Sequence, residues 1–165
     1  MRKTILASLL LAGCASGPTK QEQLTRIDRQ LNELYRPLVA LVEESRLSRD
    51  DFLRKEGRKE TLPTDRTLTD EEMKRWIDEI EKVMFPRNER MCALIRAKRG
   101  LADGPEPASW QALLNHQDGW REDHEKWRKE GVAYPFHARS GFPRSLEREL
   151  KASIVALEER KAALK

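Results

Sequence analysis

Apolar side chains that recur at steps of three and four residues are the feature of this chain that most constrains its fold. The first series is Leu24, Ile27, Leu31, Leu34, Leu38 and Leu41. This spacing places the apolar side chains on one face of an amphipathic helix. Three later stretches show the same spacing, and none shows a useful length of strand-like alternation. The sequence therefore predicts an all-α fold, an antiparallel four-helix bundle whose helices bury their apolar faces against one another.

Capping signals give the predicted ends of the four helices. The first helix is predicted over about 20–56, with Gly57 as its stop signal. The segment from Thr69 to Glu72 has the pattern of a capping box and predicts the start of the second helix, which ends near Arg99. The third helix stops near Gly131, and the fourth runs from about Arg144 to the end of the chain.

Two prolines lie inside the two long helices. Pro37 and Pro86 each lack a backbone donor, so a kink is predicted at each site. The alternative is that each proline starts a new, shorter helix. The apolar pattern resumes in register beyond both prolines, which favours two long proline-kinked helices.

The charge of the chain does not favour a nucleic-acid partner. Its 32 Lys and Arg residues stand against 28 Asp and Glu residues. Removal of residues 1–13, which carry Arg2 and Lys3 and no acidic residue, would leave 30 basic against 28 acidic side chains, a net charge of +2. A nucleic-acid-binding face usually shows a clear basic excess, and here both signs alternate.

The N-terminal residues have the layout of an export signal. A basic start precedes the largely apolar run 4–11, and small residues follow it. That order is typical of a secretory signal peptide, and the run is far shorter than the roughly 20 residues of a transmembrane helix. We therefore expect residues 1–13 to be a signal peptide, residues 14–19 a tether, and residues 20–165 a single helical bundle domain.

The residues Leu11-Ala12-Gly13-Cys14 resemble the lipobox of bacterial lipoproteins. The resemblance implies cleavage before Cys14, a thioether-linked diacylglycerol on its sulfur and an acylated amino terminus. It thereby implies that the lipid bilayer is a partner through acylated Cys14. Ala15 resembles the outer-membrane-retained pattern, which implies an outer-membrane lipoprotein facing the periplasm if the source is a diderm bacterium.

The helical remainder looks like small bacterial helical proteins. The resemblance rests on the stretches 34–38, with the sequence Leu-Tyr-Arg-Pro-Leu, and 86–91, with the sequence Pro-Arg-Asn-Glu-Arg-Met. It implies no function.

The first candidate site is a notch at the middle of the bundle. Pro37 and Pro86 fall at similar distances from the turn between the first two helices, so two kinks would open a gap at one height. The predicted notch residues are Arg36, Arg87, Asn88, Arg90, Gln117 and Trp120. Together they would form an anion-friendly pocket beside an indole ring. The alternative is that the prolines only bend the helices around the core while the arginines face water.

The second candidate site is the loop 132–143. It carries the aromatic and imidazole side chains of Tyr134, Phe136, His137 and Phe142, an unusual density for a connector. Two interpretations stay open. The rings could be presented to a protein partner, or they could fold back and plug the end of the bundle, since aromatic rings left in water form an adhesive patch.

Catalytic and metal signals are weak. His116 and His124 lie eight residues apart on one helix, about 12 Å along its axis, which is too far to share a metal ion. The sequence has no recognised metal, phosphate or nucleophile motif, so we expect no metal, no cofactor and no enzymatic activity. The leading hypothesis is a non-enzymatic lipoprotein whose bundle is a protein-interaction or accessory module of the cell envelope. The alternative is an envelope binding protein for a small or amphiphilic ligand in the notch.

Overall fold

The computed structural model describes residues 17–165 as an all-helical domain. It contains four helices, α1 (residues 20–55), α2 (residues 70–98), α3 (Ala108–Glu130) and α4 (Leu146–Ala163), and no strand among the described residues. A short 3₁₀ turn, Arg99–Leu101, extends α2. The prediction of an all-α chain with four helices is confirmed. Cys14 and the rest of the lipobox lie outside the described residues.

The ends of the helices follow the local sequence. The Thr69 side chain accepts a hydrogen bond from the backbone N–H of Glu72 at 3.2 Å, and the Glu72 carboxylate accepts one from the backbone N–H of Thr69 at 2.9 Å. This is the predicted capping box. Gly57 and Gly131 have φ angles of 64° and 69°, the left-handed conformation that ends a helix at low cost only for glycine. A second capping box, between Thr19 and Glu22, starts α1 and was not predicted.

Each mid-helix proline follows a π turn. In α1, the π turn Leu31–Tyr35 joins Lys20–Gln30 to Arg36–Lys55. In α2, the π turn Ile80–Met84 joins Asp70–Glu79 to Phe85–Lys98. A proline cannot donate to the carbonyl four residues back, and its ring clashes with that carbonyl. A wider turn just before the ring relieves both problems, so the helical backbone continues through Pro37 and Pro86.

The helices pack around two clusters of buried side chains. α1 contacts α2 and α4, and α2 also contacts α3. The larger cluster includes Ile27, Leu34, Leu38, Met91, Ile95, Trp110, Leu113 and Leu150. The smaller cluster comprises Phe52, Leu53, Trp76, Ile80, Phe85 and Trp120, with partly buried side chains from the loops 57–69 and 131–145 packed against it. The smaller cluster positions the site described below.

Cys92 belongs to the larger cluster and is fully buried. Burial raises the pKa of its thiol to about 11. A thiol with a raised pKa is a poor nucleophile at neutral pH, so Cys92 acts as a small apolar side chain. Among the helices of residues 17–165, none combines the length and the apolar character needed to cross a bilayer.

Candidate functional site

A groove of about 530 Å³ lies beside the smaller cluster. It is bounded by α1, by α2, by α3, and by the chain segment that precedes α4 together with the first turn of α4. Its lining includes Val42, Ser45, Arg46, Arg49, Trp76, Met84, Asn88, His116, Trp120, His137, Ser140, Phe142, Arg144 and Glu147. This volume is in the range of small-molecule pockets, about 300–1,000 Å³.

Aromatic side chains form much of the apolar wall of the groove. Trp120 is 6% exposed, and its ring centroid lies 5.1 Å from that of Phe85 and 6.5 Å from that of Trp76. The Trp76 indole N–H donates to the backbone carbonyl of Phe136 at 2.9 Å. These contacts hold both indole rings in place, so the wall is formed before any ligand arrives.

Two buried polar side chains line the same groove without full use of their hydrogen-bonding groups. Asn88 is 3% exposed, and its amide makes no side-chain hydrogen bond within residues 17–165. The indole N–H of Trp120 is buried and likewise has no partner in that range. A buried polar group without a partner costs about 1–3 kcal/mol. This cost applies to the Trp120 indole N–H, whereas the Asn88 amide is a polar group of the groove lining that a ligand could hydrogen-bond.

His116 presents a defined tautomer to the groove. Its Nδ1 lies 2.6 Å from the backbone carbonyl oxygen of Ser140. Because a carbonyl only accepts, Nδ1 carries the proton, and Nε2 of the neutral ring is a hydrogen-bond acceptor. Burial lowers the pKa of His116, and the bond to Ser140 opposes that effect. The ring is therefore neutral at pH 7.

The rim of the groove is basic. Three arginines, Arg46, Arg49 and Arg144, line it together with one carboxylate, Glu147. The Arg46 Nε lies 3.6 Å from a Glu147 oxygen, and an Arg49 guanidinium nitrogen lies 3.2 Å from a carboxylate oxygen of the adjacent Asp50. Within the described part of the chain, Arg144 takes part in no ion pair.

The aromatic rings of the loop 132–143 fold back onto the domain. Tyr134, Phe136 and Phe142 are each half-buried. The Phe136 ring packs edge-on against Trp127, with centroids 5.1 Å apart, and Phe142 packs edge-on against His116 at 5.6 Å. His137 is exposed and lies at the groove. Of the four side chains predicted to bind a partner, His137 and Phe142 line the groove.

A buried polar network fixes the start of this loop. His124 is 5% exposed, and its Nε2 lies 2.6 Å from a carboxylate oxygen of Glu81. Its Nδ1 is hydrogen-bonded to the Tyr134 hydroxyl. Burial raises the pKa of Tyr134, and the nearby Glu81 carboxylate raises it further, so the phenol stays protonated.

The structure brings two of the six predicted notch residues to the groove. Asn88 and Trp120 line it. Arg36 instead is exposed and donates to Glu158 on α4 at 2.8 Å, so it faces away from the groove. Gln117 is 3% exposed, its carbonyl oxygen has no partner, and it lies outside the groove lining.

The other two notch residues lie near Glu44. The buried Arg87 donates to the Glu44 carboxylate at 3.2 Å, and the exposed Arg90 lies 4.0 Å from it. Neither lines the groove. The basic groups at the groove are thus different arginines from those predicted.

Sequence reasoning missed His116 and Arg144 as groove residues. His116 and Trp120 are four residues apart and so share one face of α3. That spacing in the sequence could have placed His116 beside Trp120. The position of Arg144 depends on how the loop returns to α4, which no local pattern encodes. Within residues 17–165, no group of three or more His, Cys, Asp or Glu side chains is arranged to hold a metal ion.

Comparisons with protein-family models, with curated proteins and with solved structures each gave no match.

Proposed function

We propose that this domain binds a small, largely apolar molecule in the groove beside Trp120. The observation that carries the proposal is the groove itself, about 530 Å³, in which the rings of Trp76 and Trp120 form apolar walls and Asn88 and His116 place polar groups beside them. Ligand sites combine apolar walls with a few placed polar groups. The Trp76 and Trp120 rings supply such walls, and Asn88 and His116 supply the polar groups.

Packing of the loop 132–143 supports a small ligand over a protein partner. A protein-binding face usually presents a contiguous apolar patch. Here the rings of Tyr134, Phe136 and Phe142 are half-buried. The exposed large apolar side chains, Leu47, Val132 and Val155, lie on different elements, and single exposed apolar residues are ordinary.

A protein-interaction module of the cell envelope is the second proposal. The observation that favours it is that Val132 is 49% exposed and that His137, on the same loop, is exposed as well. This surface is small, so the interaction would be weak or transient.

We propose that the four helices form an antiparallel bundle, with bends at the two prolines. Both loops 57–69 and 131–145 contribute side chains to the smaller cluster, as alternating helix directions require. The π turns before Pro37 and Pro86 support the bends, because π turns are among the known causes of helix bending.

We propose further that the protein is an exported lipoprotein, anchored through acylated Cys14 and retained at the outer membrane with its domain in the periplasm. The support is the sequence of residues 11–15. Several acyl chains give far more stable anchoring than one. The role proposed for the domain is binding rather than catalysis.

Calorimetric titration with decanol, an uncharged single-chain probe, tests binding in the groove. The protein is the full chain with Cys14→Ser, which cannot be acylated. Ser45 lines the groove and is only half-buried, so Ser45→Phe fills space there. Leu47→Phe is the matched control, because Leu47 is 60% exposed and outside the groove lining.

We expect decanol to bind the parent chain and the Leu47→Phe variant with equal affinity. Ser45→Phe should reduce that affinity at least about tenfold, since a filled pocket costs the ligand more than about 1.4 kcal/mol. Circular dichroism confirms that both variants are folded. Equal decanol binding by the folded Ser45→Phe variant would show that the groove is not the site.

A further inference from the structure

The charge around the groove points to the chemistry of its ligand. The charged side chains of the lining are Arg46, Arg49, Arg144 and Glu147, which gives three positive charges and one negative charge. A cleft lined with charge of one sign beside low-dielectric walls concentrates ions of the opposite sign. The groove therefore favours an anionic group.

Existing ion pairs leave part of this positive charge available. Glu147 is shared between Arg46, at 3.6 Å, and Lys151, at 2.7 Å. The carboxylate next to Arg49 is Asp50, which also lies 3.9 Å from Arg46. Arg144 has no carboxylate partner within residues 17–165. Its guanidinium group can donate two parallel hydrogen bonds to a carboxylate or phosphate.

The apolar walls of the groove limit the chemistry of the rest of the ligand, beyond its anionic group. Val42, Met84, Trp76, Trp120 and Phe142 give an apolar surface. Polar groups inside it are few, and the Asn88 amide in the lining has N–H donors and a carbonyl acceptor for the ligand. An anion with a large polar body would leave its polar groups unpaired against these rings, at a cost for each one.

We propose that the ligand is a free, single-chain amphiphile with one anionic head group, held with the head at Arg49 and Arg144 and the chain along Trp76 and Trp120. This assignment rests on the proposed function, because it names the ligand of the same groove. The basic rim selects the head group by charge complementarity. The volume of about 530 Å³ suits one molecule of this size.

Three probes with the same ten-carbon chain separate head-group recognition from chain binding. Decanoate carries a negative head, decanol a neutral one and decyltrimethylammonium a positive one. All three are titrated calorimetrically, below their aggregation concentrations, into the full chain with Cys14→Ser. We expect decanoate to bind about tenfold more tightly than decanol, because charge-assisted hydrogen bonds are worth about that factor, and the cation to bind weakest.

A matched pair of variants assigns the head group to the rim. Arg144→Gln removes the unpaired guanidinium, whereas Arg148→Gln removes an exposed arginine of α4 that does not line the groove. We expect Arg144→Gln to weaken decanoate binding about five- to tenfold and to leave decanol binding unchanged. The Arg148→Gln variant should bind both probes as the parent does. Added salt should weaken the binding of decanoate only.

The outcomes distinguish this inference from the proposed function. If decanol and decanoate bind equally and Arg144→Gln changes neither affinity, the anionic head group is wrong while ligand binding in the groove stands. If no probe binds, both proposals fail. If phosphatidylglycerol vesicles displace decanoate from the groove and phosphatidylcholine vesicles do not, the free single-chain ligand is wrong and a membrane phospholipid takes its place.

Discussion

His116 shows how the backbone sets the chemistry of a buried side chain. The Ser140 carbonyl holds the proton on Nδ1, and burial disfavours the charged ring. The groove is therefore lined by a neutral imidazole with one acceptor nitrogen, although the rim beside it is positively charged. A neutral ring adds no further positive charge to the groove.

The lowered pKa of His116 predicts a loss of stability in acid. In the unfolded chain the imidazole protonates near its ordinary pKa of 6.5, whereas in the folded chain it protonates at a lower pH. Between those values the unfolded state binds more protons, so stability falls as pH falls from about 6.5 towards the folded pKa. His116→Gln keeps a donor for Ser140 and does not titrate.

Urea midpoints measured at pH 7.5 and pH 5.5 test this prediction. We expect the midpoint to fall less between the two pH values in the His116→Gln variant than in the parent chain. Identical drops in both proteins would mean that His116 titrates at its ordinary pKa when folded.

Trp120 belongs both to the smaller cluster and to the groove. Its ring is 6% exposed and packs against Trp76, Phe85 and His116. Trp120→Ala should lower the free energy of unfolding by about 3–5 kcal/mol, as large-to-small changes in a core do. Leu47→Ala, at an exposed position of α1, should change it by less than about 0.5 kcal/mol. Chemical denaturation of both variants provides the measurement, and a Trp120→Ala variant as stable as the parent would show that the cluster is not packed as described.

At the scale of the helices, local sequence was sufficient for most of the fold. The Thr69 capping box, the left-handed Gly57 and Gly131, and the apolar spacing each depend on neighbours within a few residues. The π turns were not predicted from the sequence. Each adds about one residue to a helical turn, and a series of apolar residues at mixed steps of three and four looks the same with or without that extra residue. The shape of the groove was also missed, since it depends on the return path of the loop 137–144.

Two glycines, one inside α3 and one directly after it, predict opposite effects for the same substitution. A Cβ added at Gly119, inside the helix, meets nothing within 4 Å. Gly119→Ala should therefore stabilise the domain by about 0.5–1 kcal/mol through helix propensity. Gly131→Ala should destabilise it by about 1–2 kcal/mol, because φ is 69° there and alanine is strained in that conformation. Thermal melts of both variants measure the two signs, and a stabilised Gly131→Ala variant would contradict the cap.

At the scale of the whole molecule, the proposed lipid attachment at Cys14 would determine where the domain acts. If Cys14 is acylated, the chain incorporates radiolabelled palmitate when it is produced in a bacterial host. Cys14→Ala should abolish the incorporation, whereas Cys92→Ala, at a fully buried thiol, should leave it unchanged. Palmitate label that persists in the Cys14→Ala variant would contradict the lipoprotein proposal.

Three tryptophans of the domain lie in two separate regions, the groove and the larger cluster. The smaller cluster joins both loops 57–69 and 131–145 to the helices, and the groove lies against it. Trp76 and Trp120 line the groove, whereas Trp110 is fully buried in the larger cluster. The chain has 4 tryptophans, so their indole N–H signals report on the two regions separately.

A decanoate titration followed by the indole N–H resonances of the isotope-labelled full chain with Cys14→Ser tests ligand binding in the groove most directly. We predict that the signals of Trp120 and Trp76 shift progressively to saturation while that of Trp110 stays in place. Indole signals that remain unchanged, or a Trp110 signal that shifts as much as that of Trp120, would contradict binding in the groove.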